Sequence, residues 1–250
     1  MHRIIFSMGP VTVYTYGFFV ALGVAISVIM AVNQAGKEGV KASDMLDILT
    51  AIIIGALLGG RALFVVLNLG SYLSRPAAIF DLSEGGMAFQ GALILGLLFG
   101  AGLSAKRGIS FWKISDILAP YLALAHSMGR IGCFFNGCCY GAPTNCSLSV
   151  TFPGEFVQRI PVQLYSSAGL LGIFVILLWL RRKKAFDGYL FAVYLMAYGI
   201  FRMFMDNFRG DELVRVYGFT LAQVISAGIF IAGAGIYAIK KKQKISEKKT

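Results

Sequence analysis

His126 and Arg130 stand four residues apart near the end of a long apolar run. On a helix that spacing puts both on one face, one turn apart. Two further arginines, Arg61 and Arg202, lie inside other apolar runs. A charged side chain at membrane depth is costly enough that each is a functional candidate. A guanidinium fork matches phosphate oxygens with paired, charge-assisted hydrogen bonds. Clustered arginines repel unless an anion lies between them, and a phospholipid phosphate is the natural anion at a membrane face. The alternative is that each arginine pairs with a carboxylate or with loop carbonyls and only fixes packing. Asp206, four residues after Arg202, is spaced for that role. His126 beside a cationic site would stay neutral, the form a general base needs; the competing reading is a packing histidine bonded to a carbonyl. His2 lies at the terminus without such a context.

Four cysteines follow: Cys133, Cys138, Cys139 and Cys146. Their C-x4-C-C-x6-C spacing matches no common zinc pattern, so neither a metal nor a cofactor is expected. They fall at or beyond the outer membrane face, where thiols can oxidise. A disulfide from Cys138 or Cys139 to Cys146 is the leading structural expectation, ahead of buried free thiols and of a catalytic thiol.

The elements that must position these groups are membrane helices. The chain has 250 residues, 57% of them hydrophobic and only 14% charged, against roughly 25% charged in soluble domains. Apolar windows predict an all-α, polytopic fold of about seven transmembrane helices, near 12–32, 46–67, 86–104, 114–135, 162–180, 187–207 and 217–239. This makes residues 1–239 one membrane domain and 240–250 a basic cytoplasmic tail. Most of the 23 lysines and arginines follow the first, third, fifth and seventh spans. The positive-inside rule then puts the N-terminus outside and the C-terminus in the cytoplasm. The net charge of +11 is thus a topology signal, and no nucleic-acid partner is expected. Arg61, Arg130 and Arg202 all lie roughly 22–24 Å from the cytoplasmic edge at 1.5 Å per residue. Other polar groups gather at that level, among them Tyr14, Tyr16, Gln90, Gln163, Tyr165, Gln223, Tyr198 and Asp206. Small residues in the inner half, Gly55, Gly59, Gly96, Gly100, Gly169 and Gly172, suit close helix packing.

The order of IFSMGPVTVYTYG, LLGGRALFVV, GGMAFQGALILG, ISDILAP, GRIGCFFNGCCYG, PVQLY, AYGIFRMFMDNFR and AQVIS resembles that of prolipoprotein diacylglyceryl transferases over nearly the whole chain. The resemblance implies a transferase of a bacterial inner membrane. Such an enzyme moves the diacylglyceryl group of phosphatidylglycerol to the lipobox cysteine thiol of a preprolipoprotein, forming a thioether and releasing glycerol phosphate. Arg130, Asn136 and Gly141 fall on signature positions, and Tyr16, Arg61, Gln163, Tyr198 and Arg202 on other motif positions. Asp206 stands where the family usually has glutamate. The chain departs from the family pattern at Gln90, usually histidine, at Cys133, usually asparagine, at Cys138, usually glutamate, and at Ile160. Catalytic roles are therefore expected for His126, Arg130, Arg202 and Tyr16. Substrate binding is expected for Arg61, Gln90, Asn136, Gly141, Gln163, Tyr198 and Asp206. The expected partners are phosphatidylglycerol, lipobox-containing preprolipoproteins and membrane lipid. The alternatives are a paralogue with another acceptor, a lipid or anion transporter, or a binding protein without catalysis. A transporter would show polar residues through both membrane halves and often repeats; this chain has its polar density on one side.

Overall fold

Long apolar runs leave the backbone no partner but itself, and the chain answers with helices, even across Pro120 inside one of them. The computed structural model describes residues 3–8, 11–80, 85–146, 148–152, 156–210, 215–216 and 218–247. His2 and the extreme C-terminus lie outside them. The elements are β1 (Ile4–Met8), β2 (Val11–Tyr14), α1 (Thr15–Lys37), α2 (Ala42–Leu67), α3 (Leu69–Leu73), α4 (Phe89–Lys106), α5 (Phe111–Asn136), β3 (Val150–Thr151), β4 (Gln158–Arg159), α6 (Val162–Arg181), α7 (Tyr189–Asp206), β5 (Arg215–Val216), β6 (Phe219–Thr220) and α8 (Leu221–Glu247). The strands form three antiparallel two-stranded ribbons.

Among the described residues, six helices are long and apolar enough to cross a membrane: α1, α2, α4, α6, α7 and α8. The seventh expected span is α5, with 26 residues, or about 39 Å at 1.5 Å per residue. Lys113, Asp116, His126 and Arg130 lower its hydropathy, yet Ile117, Ala119, Ala123 and Ser127 on it are fully buried. Asp116 is fully buried as well, and His126 and Arg130 are half-buried. The protein is a polytopic, all-α membrane protein. Several boundaries differ from the sequence expectation, most informatively at the two ends of the chain. The first span begins at Thr15, because Val11–Tyr14 pairs with Ile4–Met8 as a β-hairpin. The last helix does not stop at residue 239 but runs on through its lysines to Glu247.

The chain forms two compact units, Val32–Ile114 and Met1–Ala31 with Ser115–Thr250. In the first, α2 and α4 cross at backbone contact. A Cβ added to Gly59 would collide with the Gly91 carbonyl, one on Gly91 with the Gly59 carbonyl, and one on Gly55 with the Leu95 carbonyl at 2.6 Å. Gly100 meets Ile52 in the same seam, whereas Gly172, in the other unit, has open space beside it. The packing role expected for Gly172 is therefore not realised, since no neighbour approaches it.

In the second unit, α5, α6 and α7 enclose a core of Ala119, Ala123, Leu170, Ile173, Leu177 and Leu190. Ser127 donates to the Ser167 carbonyl at 3.0 Å, tying α5 to α6. At one end of α5 the buried Asp116 accepts from the Gly188 and Phe191 amides, at 2.9 and 3.0 Å. It thereby satisfies donors at the start of α7 that have no partner within that helix. Lys184 Nζ balances the carboxylate at 3.2 Å.

Candidate functional site

The other end of α5 carries the chemistry. The helix stops where Gly137 takes φ +71°, and Cys139 follows at φ +60°, a left-handed conformation uncommon for a residue with a side chain. The turn 137–140 is then stapled from two directions. The Gly141 amide donates to the Ile160 carbonyl at 2.9 Å, and the Ala142 amide to the Phe208 carbonyl at 3.0 Å. No side chain fits at Gly141: a Cβ there would meet Val162, the Phe208 carbonyl and Ile160 at 2.6–2.8 Å. Gln163, 1% exposed, donates through Nε2 to the Cys138 carbonyl at 2.7 Å. Asn136 Nδ2 reaches the Cys138 sulfur at 3.5 Å, and Arg3 Nε holds the Asn136 carbonyl at 3.0 Å. Gly141, Gln163 and Asn136 thus build the turn from close contacts.

Around it stand three cations. Arg130 Nε donates to His126 Nε2 at 3.3 Å, which uses the imidazole lone pair that a base would need. His126 also lies against Tyr198, ring centroids 5.5 Å apart, and Tyr198 stacks on Tyr194. Arg202 Nη2 pairs with Asp206 Oδ1 at 3.3 Å. Asp206 also accepts from the Thr220 hydroxyl, and Thr220 is fixed in turn by the Gln223 side chain at its amide, 3.0 Å. Arg202 lies within the electrostatic reach of both Arg130 and Arg209. Tyr16, at the start of α1, packs on Gly132 of α5 and lies near Arg130 and the thiols of Cys133, Cys138 and Cys139. Two cavities open beside this cluster. One, of about 470 Å³, is lined by Asp206, Asn207, Arg209, Thr220 and Gln223 among others. The other, about 440 Å³, is largely apolar, with Ile160, Pro161, Phe201, Phe204 and Phe208 on its walls. Phe204 borders both.

The cysteines differ from expectation. All four are free thiols, so the expected bridge from Cys138 or Cys139 to Cys146 is absent. Instead the left-handed turn brings Cys133, Cys138 and Cys139 together, with their sulfur atoms within 4.8 Å of one another. Hydrogen bonds from Cys133 and Cys138, and the charges of Arg209 and Arg130, hold the Cys139 thiol well below its ordinary pKa, against the opposing effect of burial. Burial pushes Cys138 up.

Arg61 and Gln90 belong to the other unit. The Arg61 guanidinium donates to the carbonyls of Ala78, Ile79, Gly85 and Gly86 at 2.6–3.1 Å and lies over the Tyr72 ring. It clamps the loop between α2 and α4. Gln90 is exposed at the start of α4. Arg209, and Arg159 stacked 4.6 Å over the Tyr140 ring, lie by the thiol-bearing turn, and on the sequence they count only as loop charges. For Arg209 the one sequence signal is the adjoining Gly210, in a segment where backbone strands meet: Gly141 forms a β-bridge with Arg209, and Pro143 one with Arg159.

The fold and site define a multi-pass membrane protein with an arginine cluster, a thiol-bearing turn and an adjoining apolar cavity. Residues 3–239 match the model of the prolipoprotein diacylglyceryl transferase family. A relative from Clostridioides difficile is 34% identical over 99% of this chain and its own full length. One from Finegoldia magna is 33% identical over 98% of each chain. Both are named phosphatidylglycerol–prolipoprotein diacylglyceryl transferase. The chain belongs to the prolipoprotein diacylglyceryl transferase family.

Proposed function

We propose that this protein transfers the diacylglyceryl group of phosphatidylglycerol to the lipobox cysteine of a preprolipoprotein at the outer leaflet of a bacterial membrane, releasing glycerol phosphate. The observation that carries this reading is the gathering of Arg130, Arg202 and Arg209 at the thiol-bearing turn, beside an apolar cavity of about 440 Å³. A headgroup phosphate and an acyl chain ask for those two surroundings side by side.

Arg130 and Arg202 bind the phosphate and stabilise the charge that builds on it as the glyceryl carbon–oxygen bond breaks. Asp206, fixed by Thr220, aims Arg202. His126 orients Arg130 and is a positioning residue, as its Nε2 accepts from that guanidinium. Tyr16 has its phenol near both the α5 arginine and the thiols, where it can hydrogen-bond the phosphate or the incoming sulfur. Tyr198 backs His126. Asn136, Gly141 and Gln163 support substrate binding by shaping the turn. Arg61 contributes by closing its loop, and Gln90, which cannot accept a proton near neutral pH, offers hydrogen bonds only. Incubating the purified protein with labelled phosphatidylglycerol and a lipobox peptide tests the reading. It predicts a thioether product and glycerol phosphate in equal amounts; absence of both from folded protein overturns it.

A further inference from the structure

The reaction proposed above needs an acceptor sulfur without its proton, and a free thiol with pKa about 8.5 is mostly protonated at neutral pH. The polar groups nearest the arginines are already engaged. His126 accepts from Arg130, and Asp206 is held by Arg202 and Thr220. The Tyr16 phenol, protonated near neutral pH, can donate a hydrogen bond but cannot take the proton, and beside it lies the group of three thiols, to which the arrangement above gives no part in the reaction.

We infer that Cys133, Cys138 and Cys139 bind a thiophilic closed-shell cation, zinc(II), with one coordination position left for the acceptor thiol. The position for the acceptor rests on the proposed transfer reaction; the three-thiolate site does not. A zinc–sulfur bond of about 2.3 Å puts ligand sulfurs about 3.8–4.0 Å apart in tetrahedral or trigonal geometry. The three sulfurs already lie within 4.8 Å of one another, so small rotamer adjustments close the site. Two backbone features hold them there. Cys133 rides on the last turns of α5, and Cys139 sits in the left-handed conformation that turns adjacent side chains toward one centre. Gln163 fixes the turn through the Cys138 carbonyl at 2.7 Å, and Asn136 Nδ2 approaches the Cys138 sulfur at 3.5 Å. Such outer contacts orient metal ligands.

Charge also fits. Three thiolates around zinc(II) leave a net charge of about −1, and the positive charges of Arg130 and Arg209 bear on this cluster. Soft sulfur ligands favour zinc over magnesium or calcium. Three protein ligands with a fourth position open are the pattern of a reactive rather than a structural zinc. Access is present: a cavity of about 360 Å³ reaches Cys138 and Cys139 past Gly137 and Arg159.

The chemistry then balances. The acceptor thiol coordinates zinc and gives its proton to solvent, since a coordinated thiol is deprotonated outright. The sulfur lone pair forms a carbon–sulfur bond at the glyceryl carbon bearing the phosphate. The carbon–oxygen bond breaks, and its electron pair leaves on the oxygen of glycerol phosphate, whose charge the arginines meet. The neutral thioether binds zinc weakly and departs.

The test uses full-length protein in phosphatidylglycerol nanodiscs, stripped with chelator under reductant and reloaded with zinc or cobalt(II). We expect about one zinc per chain, with Cys133→Ser, Cys138→Ser and Cys139→Ser each weakening retention by about tenfold or more. Cys146→Ser should retain zinc as wild type does. The wild-type cobalt form should show sulfur-to-metal charge-transfer absorption that shifts with a lipobox peptide and not with its Cys-to-Ser analogue. Equal zinc retention by a variant lacking all three thiols overturns the site. A cobalt spectrum unmoved by the thiol peptide, or transfer by stripped protein at the zinc-loaded rate, overturns the acceptor role while leaving the transferase reading intact. Stoichiometric zinc with no glycerol phosphate from any sample overturns the transferase reading and leaves the three-thiolate site standing.

Discussion

Replacing Arg202 by lysine separates a charge from a fork. Arg202 spends Nη2 on Asp206 at 3.3 Å, which leaves Nε and Nη1 for an anion. The pair is shielded, with side-chain exposures of 18% and 0%, so a charge-assisted hydrogen bond here is worth about 1.5–3 kcal/mol. Lysine keeps the positive charge and can still neutralise Asp206, but it has no second donor in the plane of the phosphate. Losing one such bond in the transition state lowers kcat/KM roughly 10- to 150-fold, at 1.36 kcal/mol per tenfold. Asp206 retains its Thr220 hydroxyl, so the folded state loses only about 1 kcal/mol. The assay is glycerol phosphate release from phosphatidylglycerol nanodiscs with a lipobox peptide, alongside thermal unfolding of the same preparation. A variant with wild-type turnover and wild-type stability would refute phosphate binding by Arg202. A variant that lost activity only in proportion to folded protein would assign the residue to packing.

Three other outcomes follow from the geometry. His126→Gln preserves an acceptor for Arg130 and should cost less than about tenfold with an unchanged pH profile; a loss of about 10²-fold with a flattened acid limb would instead make His126 the base. Gly59→Ala drives a Cβ into the Gly91 carbonyl and should destabilise by about 1–3 kcal/mol, measured by thermal unfolding in detergent, while Gly102→Ala, with nothing within 4 Å, should be neutral. Cysteines introduced into a cysteine-free background should label from outside at position 145 and only after permeabilisation at position 183; the reverse pattern would invert the topology.

The arginine motif was legible because its signal is local: a charge inside an apolar run announces itself. What each arginine does was not. Arg61 and Arg202 look alike in sequence, yet Arg61 is consumed by the loop carbonyls of Ala78, Ile79, Gly85 and Gly86, partners with no side-chain signature. Helix α5 shows the same split, its existence readable from length and its interior position only from packing. The thiol cluster was hidden for a different reason. Adjacent residues in ordinary extended backbone point apart, so C-C reads as a poor ligand pair. The left-handed backbone at Cys139 reverses that, and no spacing rule anticipates it. Arg209 was masked by lying in a loop, where basic residues are common.

The staples on the 137–142 turn also set a schedule for biogenesis. The Ala142 amide binds the Phe208 carbonyl, and the Gly210 amide binds the Tyr140 carbonyl. During synthesis the turn therefore waits for a segment about 70 residues further along, roughly 4–14 s at translation rates of about 5–20 residues per second. Through that interval Arg130 is in the membrane without Arg202 or Arg209, and the cysteines lack their clasp. A nascent chain halted after α6 has Arg130 but neither Arg202 nor the Phe208 carbonyl that clasps the turn. Assembly of the turn is thereby tied to completed insertion of α7.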